Sequence, residues 1–217
     1  AIGDRVPNRL MMGPWSHEAE VETFTGDIDL SPAVTVIQEH ELAFYDRYVK
    51  EIDNGWDERP PAELYVLGAD EWRGATEWPL PGTEPTPFHL RRGGGLSRSE
   101  PGTGEPGDRY AYDPADPVPT HGGVNSVLTM TQGAQTRILP GPLDQRALEG
   151  RDDVLAYTSE PLERDLEVIG PVEMILFAAS SARDTDFFVR VCDVYPYGRS
   201  IFLTEGVIRA RYRGSVA

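Results

Sequence analysis

After residue 58 this chain is cut into short apolar runs by glycine and proline. That punctuation leaves room for short strands and little room for long helices. The 217 residues include 22 glycines and 19 prolines, with no collagen-like period. Runs at 63–67, 88–90, 154–157, 172–178, 187–195 and 201–203 read as strands. Residues 172–178 are apolar at nearly every position, as in a strand covered on both faces. Ile208, Ala210 and Tyr212 alternate with Arg209, Arg211 and Arg213, the pattern of a half-exposed strand. Short strands without intervening helices predict a mainly β fold, a sandwich or jelly roll, over residues 59–217.

The front of the chain reads differently. Arg9-Leu10-Met11-Met12 is a short apolar run, closed by Gly13-Pro14, and His17 follows within the next turn. Leu42, Tyr45, Val49 and Ile52 recur at intervals of three and four, which predicts one helix face. Asp53-Asn54-Gly55 is the expected stop. Strand, turn and helix together make the closing unit of an α/β sheet. The composition changes at Arg59-Pro60-Pro61, so residues 1–58 and 59–217 are expected to be separate units. Trp72 and Trp78 fall in a turn-rich stretch. Residues 101–123 form an unusually long loop, which either packs over a surface through Tyr110 and Tyr112 or is partly mobile.

Charge excludes some classes of partner. With 20 basic and 36 acidic residues the net charge is −16, which repels phosphate backbones and anionic membranes. The single cysteine, Cys192, permits no internal disulfide and reads as a small buried apolar residue. His17, His40, His89 and His121 are scattered, so no cysteine–histidine metal site is expected. No stretch is long and apolar enough to span a membrane, and no signal peptide is read.

A few residues carry chemistry. Histidine titrates near neutral pH, so His17 at a strand tip suits a general base, although a histidine after a Gly-Pro turn also serves structure. Ser16 is a poor nucleophile for it, because adjacent residues in an extended turn point different ways. Asp184, Asp186 and Asp193 suggest either calcium or, better, side-chain caps on turns. Arg209, Arg211 and Arg213 read as a solvated face or a domain contact. Trp72 and Trp78 would either stack on sugars or seal a core or interface.

A series of motifs then points to a family. In order they are Gly13-Pro14-Trp15-Ser16-His17, Phe44-Tyr45-Asp46-Arg47-Tyr48-Val49-Lys50, Tyr65-Val66-Leu67-Gly68-Ala69-Asp70-Glu71-Trp72 and Trp78-Pro79-Leu80-Pro81-Gly82. Tyr112-Asp113-Pro114-Ala115-Asp116-Pro117, residues 153–162, Asp184-Thr185-Asp186-Phe187 and Asp193-Val194-Tyr195-Pro196 follow. The ordered set resembles the X-Pro dipeptidyl-peptidase, cocaine esterase and α-amino acid ester hydrolase family. Tyr197 departs from that pattern, where an aspartate is common.

The resemblance implies the end of an α/β-hydrolase domain at 1–58. A jelly-roll (galactose-binding-like) β-sandwich at 59–217 would follow, with its last strands missing. It implies His17 as the catalytic histidine of a serine hydrolase. The nucleophilic serine and the triad aspartate would both lie upstream, in the order Ser, Asp, His. The chain alone is then expected to be inactive. No cofactor and no metal are expected. Expected partners are a small-molecule ester, amide or peptide substrate and the upstream α/β-hydrolase domain. The orphaned apolar helix face also makes a homo-oligomer an expectation, and the expected compartment is the cytoplasm. The alternative reading is a non-catalytic jelly-roll binding module for a carbohydrate or a protein.

Overall fold

The computed structural model describes residues 8–15, 24–29, 36–123 and 140–214. Its front elements are β1 (Leu10–Met12), β2 (Phe24–Thr25), β3 (Ile28–Asp29), α1 (Val36–Tyr48), β4 (Ala62–Val66) and β5 (Glu71–Ala75). Then come β6 (His89–Arg91), β7 (Gly95–Ser97), α2 (Arg146–Glu149), β8 (Thr158–Ser159), β9 (Asp186–Val194) and β10 (Ser200–Arg209). The fold is mainly β, as the glycine and proline punctuation predicts.

The front sheet has the order β1-β4-β5. β1 runs parallel to β4, pairing Leu10 with Ala62 and Met12 with Leu64. β4 and β5 form an antiparallel hairpin that pairs Tyr65 with Trp72. Arg9 anchors the start of β1 by donating to the carbonyls of Arg59, Pro60 (2.9 Å) and Asp57 (3.0 Å). This sheet therefore runs across the 58/59 position where composition changes. Ala62, Leu64 and Ala75 of this sheet are buried, and so is Trp56, which packs with α1.

Helix α1 packs through a different face from the one its strongest apolar residues define. Phe44 lies edge-on to Trp56 at 5.9 Å, and His40 does the same at 5.9 Å. Tyr48 adds a ring contact to Phe44 and donates to Asp57 (2.8 Å). Leu42, Tyr45, Val49 and Ile52 remain exposed. The helix ends at Tyr48, before the expected stop. Asn54 reaches back to the Ala43 carbonyl (2.8 Å), and Gly55 takes a left-handed conformation.

Among the described residues a second buried cluster comprises Leu143, Leu148, Ile201 and Phe202. Ser200 ties it together. Its hydroxyl donates to Glu149 (2.5 Å), its carbonyl accepts from the Gln145 N–H (2.7 Å) and its N–H donates to Asp144 (3.1 Å). Arg190 of β9 donates to the Gln145 side-chain oxygen (2.8 Å). Helix α2, which the sequence reading did not anticipate, is held against β10 by these bonds.

Four expectations need correction. Residues 172–178 form no ladder, and Phe177 is 96% exposed. Apolar runs report a demand for burial, but a strand also needs a hydrogen-bonding neighbour. Residues 154–157 are irregular, with β8 beginning only at Thr158. β10 stops at Arg209, and Ala210–Tyr212 is a 3-10 turn, not the end of an alternating strand. Trp72 lies inside β5, not in a turn.

The long loop over residues 101–123 stays irregular up to its isolated bridge at Gly123, but Tyr110 and Tyr112 do not hold it, since both are exposed. Carboxylates do. Glu105 accepts from Arg91 (2.7 Å) and the Arg92 N–H (2.9 Å). Asp108 accepts from the Tyr157 hydroxyl (3.0 Å), and Asp116 accepts from Arg151 (3.2 Å).

Candidate functional site at the end of the first strand

β1 and β4 run the same way, so Met12 and Val66 lie at the same edge of the front sheet. In sheets with parallel strands, ligands and catalytic groups collect at the carboxyl ends of those strands. Gly13-Pro14-Trp15 leaves β1 at that edge. His17, the residue singled out from sequence, lies outside the described residues, as does Ser16.

The described part of the run is well placed. Trp15 stacks on Trp72 of β5 with ring centroids 5.5 Å apart and planes tilted by 39°. Trp72 in turn meets its cross-strand partner Tyr65 at 5.4 Å, nearly edge-on at 69°. The two tryptophans weighed as sugar-stacking residues therefore differ. Trp72 has both neighbours on its ring, whereas Trp78 is 39% exposed. Trp78 lines an open apolar groove of about 290 Å³ with Met12, Leu64, Val66, Val168 and Ile169.

Beneath the front sheet sits a charged cluster. Glu63 of β4 accepts from Arg59 (2.9 Å) and lies 3.1 Å from His40 Nε2. Burial pushes the Glu63 carboxyl up, but Arg59 and His40 outweigh it and hold the group below the usual range. This network fixes α1 to β4 and leaves the carboxylate committed to its partners.

Asp184 and Asp186 have structural roles. Asp186 accepts two bonds from Arg209 (2.7 and 2.8 Å). Asp184 accepts the Arg211 N–H (3.1 Å) and pairs with its guanidinium. These aspartates thus cap and clamp the end of the β9–β10 hairpin, and Arg209 and Arg211, read as part of a solvated face, are their partners, whereas Arg213 donates to the Ala210 carbonyl (3.0 Å). A second, acidic hollow of about 380 Å³ is lined by Asp113, Asp116, Arg151, Asp152 and Asp153. Arg151 spans Asp116 and Asp153 there. Among the described residues no group of three or more histidine, cysteine or acidic side chains is placed to hold a metal ion. Cys192 is free and half-buried, and burial pushes its thiol up, away from the reactive thiolate. No described helix is long and apolar enough to cross a membrane.

Sequence reasoning missed the Trp15–Trp72 pair. The signal was faint, because Gly74 and Ala75 mask the strand character of β5 and the two tryptophans lie 57 positions apart.

Residues 54–216 match the family model described as the X-Pro dipeptidyl-peptidase C-terminal non-catalytic domain. The chain belongs to this family. It is 43% identical to the cocaine esterase of a Rhodococcus species (strain MB1 Bresler), over 98% of this chain and 38% of that protein. It is 30% identical to a putative serine esterase of Mycobacterium bovis, over 95% of this chain and 31% of that protein. A crystal structure of an aminopeptidase from a marine sediment Thaumarchaeota archaeon superposes with a TM-score of 0.74 at 24% identity. That match covers 96% of this chain and 35% of the other, and shows a shared fold. The chain thus spans about a third of the length of the relatives it matches. The X-Pro dipeptidyl-peptidase C-terminal model begins at residue 54, whereas both esterase matches are long enough to take in the Gly13–His17 run.

Proposed function

We propose that this chain is the C-terminal part of a serine hydrolase that cleaves ester or amide bonds through an acyl-enzyme. His17 is the general base that takes the proton of an upstream serine and then, as imidazolium, returns it to the leaving group. A carboxylate, also upstream, orients the imidazole. The nucleophile and that carboxylate belong to an α/β-hydrolase domain, so the chain on its own is inactive. Residues from β6 onward buttress that domain.

The observation that carries this reading is the 43% identity to an esterase over 98% of this chain, a span long enough to take in the Gly13–His17 run. The parallel pairing of β1 with β4 supports it. It gives the run the setting in which α/β enzymes hold catalytic groups, the carboxyl end of a parallel strand. The contacts on the Trp72 ring count against carbohydrate stacking at Trp72, since a sugar would need a free aromatic face.

Hydrolysis of p-nitrophenyl acyl esters by the full-length gene product tests the reading. His17→Ala should lower kcat by roughly 10³-fold or more, with only oxyanion-hole and binding contributions left. An unchanged kcat in that variant would refute the base assignment.

A further inference from the structure

Trp15 stands two positions before His17, and its ring turns back over the strand it leaves. Gly13 makes this possible. A Cβ at Gly13 would lie 2.5 Å from Trp15 Cη2 and 2.6 Å from Cε3, closer than any real side chain is found. The folded-back ring is received by Trp72 at 5.5 Å, and Trp72 is backed by Tyr65 at 5.4 Å. Buried Trp72 Nε1 has no hydrogen-bond partner among the described residues, and the side chain makes ring contacts with Trp15 and Tyr65. The receiving strand β5 is held to β4, and β4 is held to β1, so stack and strand belong to one rigid sheet.

We propose that Trp72 is a positioning residue for the general base: its ring fixes Trp15, and Trp15 fixes where the chain departs from β1 toward His17. This rests on His17 being the base. Trp72 lies within residues 54–216, the stretch matched by a domain described as non-catalytic. That stretch therefore contributes to the geometry of catalysis through one aromatic ring, besides covering the catalytic domain.

The test uses the full-length gene product carrying Trp72→Ala, Trp72→Phe, Gly13→Ala or His17→Ala. Active-site titration counts folded, reactive enzyme, and kcat, KM and the pH profile are measured on p-nitrophenyl esters. Displacing a catalytic group by about 1 Å costs up to about 100-fold. Trp72→Ala and Gly13→Ala should therefore lower kcat per titrated site about 10- to 100-fold. KM should stay within about threefold, and the acid limb of the profile should move. Trp72→Phe keeps an aromatic ring and should restore kcat to within about threefold of the parent. Unchanged kcat per titrated site in Trp72→Ala or Gly13→Ala overturns the proposal, whatever the loss of thermal stability. If Trp72→Ala fails to fold, Gly13→Ala decides by the same criterion, since it moves the same ring from the other side. If His17→Ala retains full activity, the assignment of the base fails, and the positioning role with it. If His17→Ala is inactive while the other variants are normal, the positioning role alone fails.

Discussion

Asp144 accepts from the Arg146 guanidinium (2.6 Å) and from the Ser200 N–H (3.1 Å). The arginine bond is the larger cause, and together they lower the carboxyl pKa to about 2. An unfolded aspartate titrates near about 4. The native state thus binds the proton more weakly, so this pair's contribution is fully present above about pH 4 and lost as pH falls through about 2. Glu105, also held at about 2, acts in the same window on the 101–105 turn. Asp144→Asn should flatten the acid limb of a stability profile followed by circular dichroism, and should cost about 1 kcal/mol at pH 7. A wild-type acid limb in that variant would contradict the assignment. At this scale the sequence was half legible. It marked Asp184, Asp186, Arg209 and Arg211 as notable, and read the aspartates as turn caps. The pairing escaped it, because partners 23 and 27 positions apart meet only once β9 and β10 are in register.

Helix α1 illustrates what an amphipathic pattern does and does not say. The period was legible, and the helix is there. Its face of Leu42, Tyr45, Val49 and Ile52 is exposed, and the helix sits on Trp56 through His40 and Phe44 instead. The pattern reports what the side chains require in the working protein, and the described contacts report what this chain supplies. In the isolated chain, Phe44→Ala should therefore cost about 1–3 kcal/mol, whereas Leu42→Ala should change stability by less than about 0.5 kcal/mol. Urea titration of the helical signal compares them directly, and the reverse ranking would show that the exposed face is covered after all. The same logic applies to residues 172–178. Their apolar run was legible, but a strand also requires a neighbouring ladder, which no local pattern encodes. β5 was hidden for the opposite reason, since pairing with β4 makes a strand of a segment with weak propensity.

Over the whole molecule, eight apolar side chains are buried and 28 large apolar ones are exposed among the described residues, which leaves far more apolar surface open than the two clusters enclose. The accessible surface is 16500 Å² for a chain of 24.0 kDa. A compact monomer of that mass exposes roughly 10,000 Å². Apolar surface on this scale is covered in a working protein. In the proposed reading the catalytic domain covers it, and a second copy is the expected cover in the isolated chain. Sedimentation velocity on the isolated chain should thus show reversible self-association that increases with concentration. Leu42→Glu combined with Val49→Lys should shift it toward monomer. A single monomeric species at all concentrations would contradict this. The mainly β class was legible because glycine and proline punctuation is local. The open surface was foreseen only for the helix, because its size depends on which strands find partners.

In the proposed reading, chemistry belongs to a longer protein in which His17 serves an upstream serine. Fluorophosphonate labelling of this chain and of the full-length gene product, side by side, tests it most directly. Only the full-length protein should be labelled, at a serine upstream of Ala1, and His17→Ala should suppress the labelling. Labelling of this chain, at a serine of its own, would contradict it.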